Sequence, residues 1–122
     1  MAHMPEYLTT HVVSGDRMVY ALDNEAEDLA KLAEGAGRRG LTLAKEAGVS
    51  VVMVGMDKGN LVGTHSVAGS VTIQVLSGRV EVRLPKETVD LLQHQLAILG
   101  NDVEHSIMAH EVSVLLLTVC SA

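Results

Sequence analysis

Residues 71–84, which read VTIQVLSGRVEVRL, carry the clearest β pattern of this chain. β-branched and other apolar residues alternate with polar ones on both sides of the central Ser-Gly pair, and such a pair is a common two-residue turn. The alternation places Val80 and Val82 on one face of a strand and charged side chains on the other. We therefore expect a β-hairpin with one buried face and one charged face.

Most of the chain after Gly40 has the same rhythm of short β-branched runs between turn residues, which is typical of a sandwich or barrel. The predicted strands cover residues 41–46, 49–56, 70–76, 79–84, 88–99 and 112–119. Before them, residues 24–34 carry apolar side chains at helical spacing and are followed by Gly35, so we predict a single helix there. Its acidic residues indicate a solvated face, and we expect it to cover one end of the β structure.

A chain of 122 residues is long enough to bury one core, and we predict a single domain over residues 5–122. Residues 1–4 resemble a cloning remnant. Although 48% of the residues are apolar, no run reaches the roughly 18 that a membrane-spanning helix needs, so we expect no membrane partner. We also see no secretory signal, and Cys120 is the one cysteine, so we expect a cytoplasmic protein in which Cys120 has no assigned role.

The charge and the aromatic content argue against a nucleic-acid partner. The formal net charge is −6, and there is no basic patch that could neutralise phosphates. The chain has no Trp or Phe and only two Tyr, so it lacks the platforms on which single-stranded bases stack.

From Gly59 onward, the spacing of glycines and histidines resembles the two sequence motifs of the cupins, which are small β-barrels. Gly59, His65 and Gly78 stand at the matching positions of the first motif, and His105 stands at the histidine position of the second. The resemblance covers nearly the whole chain. It implies an all-β, cupin-like β-barrel (a double-stranded β-helix, or jelly roll) with a short N-terminal helix and an interior pocket that carries both histidines.

The chain departs from the cupin motifs at two of the four metal ligands. Val67 stands where the family has its second histidine, and Val71 stands where it has its glutamate. The family's dioxygenase, isomerase and decarboxylase activities depend on that metal. A catalytic metal normally needs at least three protein ligands, so His65 and His105 need a third donor. The candidates are Asp102 in the preceding turn, the substrate and a water-filled position. The possible metals are zinc, iron, manganese and nickel.

We expect the pocket to be predominantly apolar, because strand alternation places each set of aliphatic residues on one face. The predicted ligand pocket consists of His65, Val67, Val71, Ile73 and His105. Val75, Leu96 and Ile98 are expected to add to its lining or to the core beneath it.

Three functions remain open from the sequence. We favour a module that binds a small molecule inside the barrel. The alternatives are a metal-dependent enzyme that uses His65 and His105, and a structural or regulatory protein whose pocket is closed by Val67, Val71 and Ile73. The aliphatic content of this short chain, the strand edges of an open barrel and the resemblance together predict a homodimer.

Overall fold

The computed structural model describes residues 18–65 and 68–121, and of Thr64 and His65 it describes the backbone. Within these ranges one helix, α1 (Leu22–Ala33), precedes nine strands. The strands are β1 (Arg38–Glu46), β2 (Val49–Met56), β3 (Leu61–His65), β4 (Gly69–Ser77), β5 (Arg79–Arg83), β6 (Thr88–Leu92), β7 (Leu96–Leu99), β8 (His105–Ala109) and β9 (Ser113–Ser121).

The strands form two antiparallel sheets. The five-stranded sheet has the order β1-β2-β9-β4-β7, and the four-stranded sheet has the order β3-β8-β5-β6. Strands that follow each other in the sequence therefore often lie in different sheets, as the jelly-roll arrangement requires. The predicted all-β fold with a short N-terminal helix is confirmed.

The hairpin predicted over residues 71–84 is wrong, although its pattern of buried and exposed residues is right. Val80 and Val82 are buried, while β4 pairs with β7 and β9 and β5 pairs with β6 and β8. The Ser-Gly turn is thus a corner at which the chain passes from one sheet to the other. Local turn chemistry fixes the reversal of the chain but not the partner that each strand finds.

The predicted strand over residues 88–99 is two strands, β6 and β7, and a turn containing His94 at φ 69° lies between them. Leu96 and Ile98 are 51% and 69% exposed, so their predicted place in the pocket or core is wrong. Every residue of β7 is apolar, and alternation alone cannot choose which face is buried. The pairing with β4 determines which face of β7 is buried, because Leu99 lies opposite the buried Val71.

The main core lies between the two sheets. It is built from buried aliphatic side chains of both, with Val71, Ile73 and Val75 of β4 facing Val80 and Val82 of β5 and their neighbours. Burying a side chain of this size contributes roughly 1.5–3 kcal/mol of transfer free energy. This inner layer is the interior in which the sequence places its pocket.

Helix α1 packs on the outer face of the five-stranded sheet. The prediction that it covers one end of the β structure is therefore wrong. Leu29 of the helix contacts a second apolar cluster that includes Leu41 and Met53. Gly55 permits this approach, since a β-carbon there would lie 2.9 Å from the Leu29 carbonyl oxygen. In the described ranges no helix has the length and apolar character to cross a membrane.

Candidate functional site

The pairing of β3 with β8 brings the two predicted site histidines together along the backbone. Val62 lies opposite Ile107, and after an irregularity in the register His65 lies opposite His105. The irregularity places three steps of β3 against two steps of β8, as a β-bulge does. His65 and His105 are therefore direct cross-strand partners.

The His105 side chain is 2% exposed, and one of its ring nitrogens has a defined partner. Its Nδ1 atom lies 3.1 Å from the Val103 carbonyl oxygen. A carbonyl oxygen only accepts hydrogen bonds, so this contact favours the tautomer with the proton on Nδ1 and makes Nε2 the acceptor of the ring. His105 and Ile107 are two positions apart in β8, so their side chains lie on the same face of the strand. Ile107 belongs to the core between the sheets.

The described side chains around His105 do not supply a metal centre with three protein ligands. Val71, which the motif spacing places at the position of the cupin glutamate, is 4% exposed and belongs to the apolar core. Val67 lies outside the described residues. Asp102, the predicted third donor, is exposed in a turn at φ 60°. Among the side chains that the structure describes, no group of three potential metal donors includes His105.

A cavity of about 170 Å³ lies between the two sheets. Its lining consists of Arg38, Gly40, Val54, Val62, Ile107, Leu115 and Leu117. Five of these residues are aliphatic, and Arg38 is the one charged residue in this lining. Gly40 leaves room in the wall, since a β-carbon added there would meet no atom within 4 Å.

Sequence reasoning missed both Arg38 and Gly40 because it began the first strand at residue 41. β1 actually begins at Arg38, and Leu41 and Leu43 pack in the cluster beneath helix α1. Alternation from these two leucines places Arg38 and Gly40 on the opposite face of the strand, toward the cavity. The alternation was visible in the sequence, but the start of the strand was not.

A larger groove, of about 810 Å³, lies on the outer surface between α1 and the end of β4. Leu22, Ala26 and Ala30 line it on the helix side, and Leu76 and His94 line it on the other. This volume includes open space on the surface beside helix α1, where the helix packs on the five-stranded sheet. We place the candidate site in the smaller cavity because that cavity is bounded by strands of both sheets.

A cluster of charged side chains lies on the outer face of the four-stranded sheet. Arg79 pairs with Asp90 at 2.9 Å, Arg83 pairs with Glu81, and His110 Nε2 lies 3.3 Å from Glu81 Oε1 and 3.9 Å from Asp90 Oδ1. The hydrogen bond from Arg83 lowers the pKa of Glu81 below its ordinary value of 4.5, and the nearby His110 acts in the same direction. Glu81, Asp90 and His110 are the one group of three potential metal donors among the described side chains. Since an arginine already neutralises each carboxylate, we interpret the cluster as an ion-pair network.

No protein-family model matches the sequence, and no curated protein matches it. Solved structures do match. A conserved protein of unknown function from Streptococcus pyogenes is 26% identical, with a TM-score of 0.70 over 73% of this chain and 78% of that one. A cupin superfamily protein from Desulfitobacterium hafniense is 18% identical, with a TM-score of 0.71 over 77% of this chain and 88% of that one.

An RmlC-like cupin from Shewanella frigidimarina is 20% identical, with a TM-score of 0.66 over 72% of this chain and 79% of that one. The three proteins share with this chain a fold and little sequence. The jelly roll of two facing sheets, the cross-strand pairing of His65 with His105 and these likenesses agree with one another. They identify the chain as a small domain with the fold of the RmlC-like cupins.

Proposed function

We propose that this chain binds a small, largely apolar molecule in the cavity between its two sheets. The observation that carries the proposal is the 170 Å³ cavity, whose walls are made by the aliphatic side chains of five strand residues. An apolar cavity of about 150 Å³ in another protein stays dry when empty and binds benzene. A cavity of this size therefore accommodates a single ring or a short branched chain.

Apolar contact supplies the binding energy in this proposal. Empty space in a core forfeits dispersion contacts, and a ligand that fills the space restores them and leaves water at the same time. Ile107 and Leu115 are 1% and 0% exposed, so the inner part of the wall is shielded from solvent. The alternative of a structural protein with a closed interior would instead require this space to be filled.

Benzyl alcohol is a suitable neutral probe, and its binding can be followed by calorimetry and by chemical-shift changes of Val62 and Leu117 methyl groups. We expect saturable binding to the wild-type protein. Gly40→Leu should abolish it, because the new side chain enters the open space of the cavity. Gly100→Leu is the matched control, since Gly100 also has no atom within 4 Å of an added β-carbon but does not line the cavity. Binding that survives Gly40→Leu unchanged would place the probe elsewhere and refute the proposal.

A metal-dependent enzyme is the second candidate, and the register that sets His65 opposite His105 favours it. This candidate needs donors besides His105 that the described side chains do not supply. Val71 offers none at the position of the cupin glutamate. Metal analysis separates the two candidates, because a metal-dependent enzyme would hold about one ion per chain.

A further inference from the structure

We infer that the molecule bound in the cavity is a small monocarboxylate with an apolar body, and that Arg38 binds its carboxylate group. The inference rests on the proposed function, and it adds the charge of the ligand and the residue that selects for that charge. It starts from Arg38, the one charged residue in the lining of a cavity that is otherwise apolar.

Arg38 belongs to the cavity side of β1. It lines the cavity together with Gly40, whereas Leu41 and Leu43 belong to the cluster beneath helix α1. Arg38 is exposed, so this part of the lining is in contact with solvent. Arg39 is the neighbouring arginine on the other face of the strand, and it does not line the cavity.

The structure shows no ion pair for Arg38 within residues 18–65 and 68–121. Met56 is the cross-strand partner of Arg38, and the next residue, Asp57, is acidic. The backbone amide of Asp57 donates a hydrogen bond to the Gly37 carbonyl oxygen at 2.7 Å. Its carboxylate, however, accepts hydrogen bonds from the backbone amides of Gly35, at 2.9 Å, and Lys58, at 2.8 Å. Both of its oxygens are thus engaged by the backbone.

A guanidinium presents its donors in a planar fork that matches the two oxygens of a carboxylate, and it keeps its charge at every physiological pH. With one such group, the lining of the cavity neutralises one negative charge. A phosphate dianion would leave a second charge against the aliphatic wall, which is unfavourable without a partner. The lining therefore favours a carboxylate whose apolar body extends inward from Arg38 toward Ile107 and Leu115.

Benzoate, benzyl alcohol and benzylammonium test the inference, since they share one ring and differ in charge. At low salt we expect the wild-type protein to bind benzoate roughly three- to tenfold more tightly than benzyl alcohol, and benzylammonium more weakly than either. The advantage of benzoate should shrink as salt is raised, because the Arg38 guanidinium is exposed. Arg38→Gln should bring the affinity for benzoate down to that for benzyl alcohol or below it, and should lower the affinity for benzyl alcohol much less.

Arg39→Gln is the control for net charge, and it should keep the advantage of benzoate. Arg38→Lys should keep part of it, because a lysine preserves the charge without the planar fork. If no probe binds, the proposed function itself fails. If benzyl alcohol and benzoate bind the wild type equally, or if the benzoate advantage survives Arg38→Gln, the cavity function stands and the role of Arg38 is refuted.

Discussion

Gly78 lies so close to Ser113 that a β-carbon at position 78 would overlap the Ser113 hydroxyl oxygen. Ser113 is completely buried, and its Oγ atom accepts a hydrogen bond from the Arg79 amide at 3.0 Å and lies 2.8 Å from the Glu111 carbonyl oxygen. Gly78 adopts φ 89°, in the left-handed region that favours glycine. The corner between the two sheets is therefore held against the start of β9.

Gly78→Ala should destabilise the protein by about 2–4 kcal/mol, because it combines left-handed strain with overlap against a buried hydroxyl. Gly59→Ala is the matched control. Gly59 has φ 81° but no atom within 4 Å of an added β-carbon, so strain alone should cost about 1–2 kcal/mol. Denaturant unfolding of both variants measures the difference, and equal losses would show that the contact with Ser113 contributes nothing.

Glu81→Gln should lower the thermal midpoint at pH 7 and leave it unchanged in strong acid. The pKa of Glu81 is lowered by Arg83 in the folded state, so its contribution to stability is fully present above the ordinary value of 4.5. That contribution is lost as the pH falls through the lowered pKa, and the two melting curves should then converge. Glu87→Gln is the control, since the structure shows no ion pair at this exposed residue within the described ranges. A gap that stays constant down to strong acid would contradict the assignment.

The sequence predicted the strands more reliably than their pairing. The alternation around Val80 gave the buried face of β5, because a strand shows its two faces in its own residues. The partners of β4 and β5 depend on residues far away in the chain, so the predicted hairpin failed. β3 and β8 were missed because their sequences, LVGTH and HSIMA, show no regular alternation of apolar and polar side chains.

The candidate site was likewise predicted only in part from the sequence. Motif spacing led to His65 and His105, whose positions along β3 and β8 are cross-strand partners. Arg38 and Gly40 lie outside both motifs, and only the start of β1 reveals which face they occupy. The cavity itself is the space left between residues of several strands, so no local pattern encodes it.

We predict a homodimer that uses the outer face of β7, the edge strand of the five-stranded sheet. Leu96 and Ile98 are exposed there on one face, and no described strand pairs with the outer edge of β7. Apolar exposure beside such an edge favours association. Ile98→Lys should shift the protein toward monomer in sedimentation equilibrium. Leu92→Lys, at an exposed leucine of the four-stranded sheet, is the control and should leave the association unchanged. A wild-type protein that stays monomeric at tens of micromolar, the range of typical stable dimers, would refute the prediction.

The last prediction concerns His65 and His105, which we expect to retain no stoichiometric metal after dialysis against a chelator. Val67 and Val71 replace an imidazole and a carboxylate of the cupin motif, and Val71 packs in the apolar core. A dication held by two neutral imidazoles would carry its full charge into an apolar interior, which is unfavourable unless water or an anion enters with it. Elemental analysis before and after addition of zinc, iron, manganese or nickel measures the stoichiometry.

The double variant Val67→His with Val71→Glu is the positive control, because it restores both donors at the positions of the motif. We expect it to bind about one ion per chain if the backbone register of His65 and His105 places these positions around one point. The restored glutamate should also cost stability without metal, since it replaces a buried valine, and added metal should recover that loss. One tightly held ion in the wild type, lost on His105→Ala, would contradict the prediction and favour the metal-dependent enzyme. A wild type without metal, beside a double variant that binds it, would show that the valines at positions 67 and 71 are sufficient to prevent metal binding in this chain.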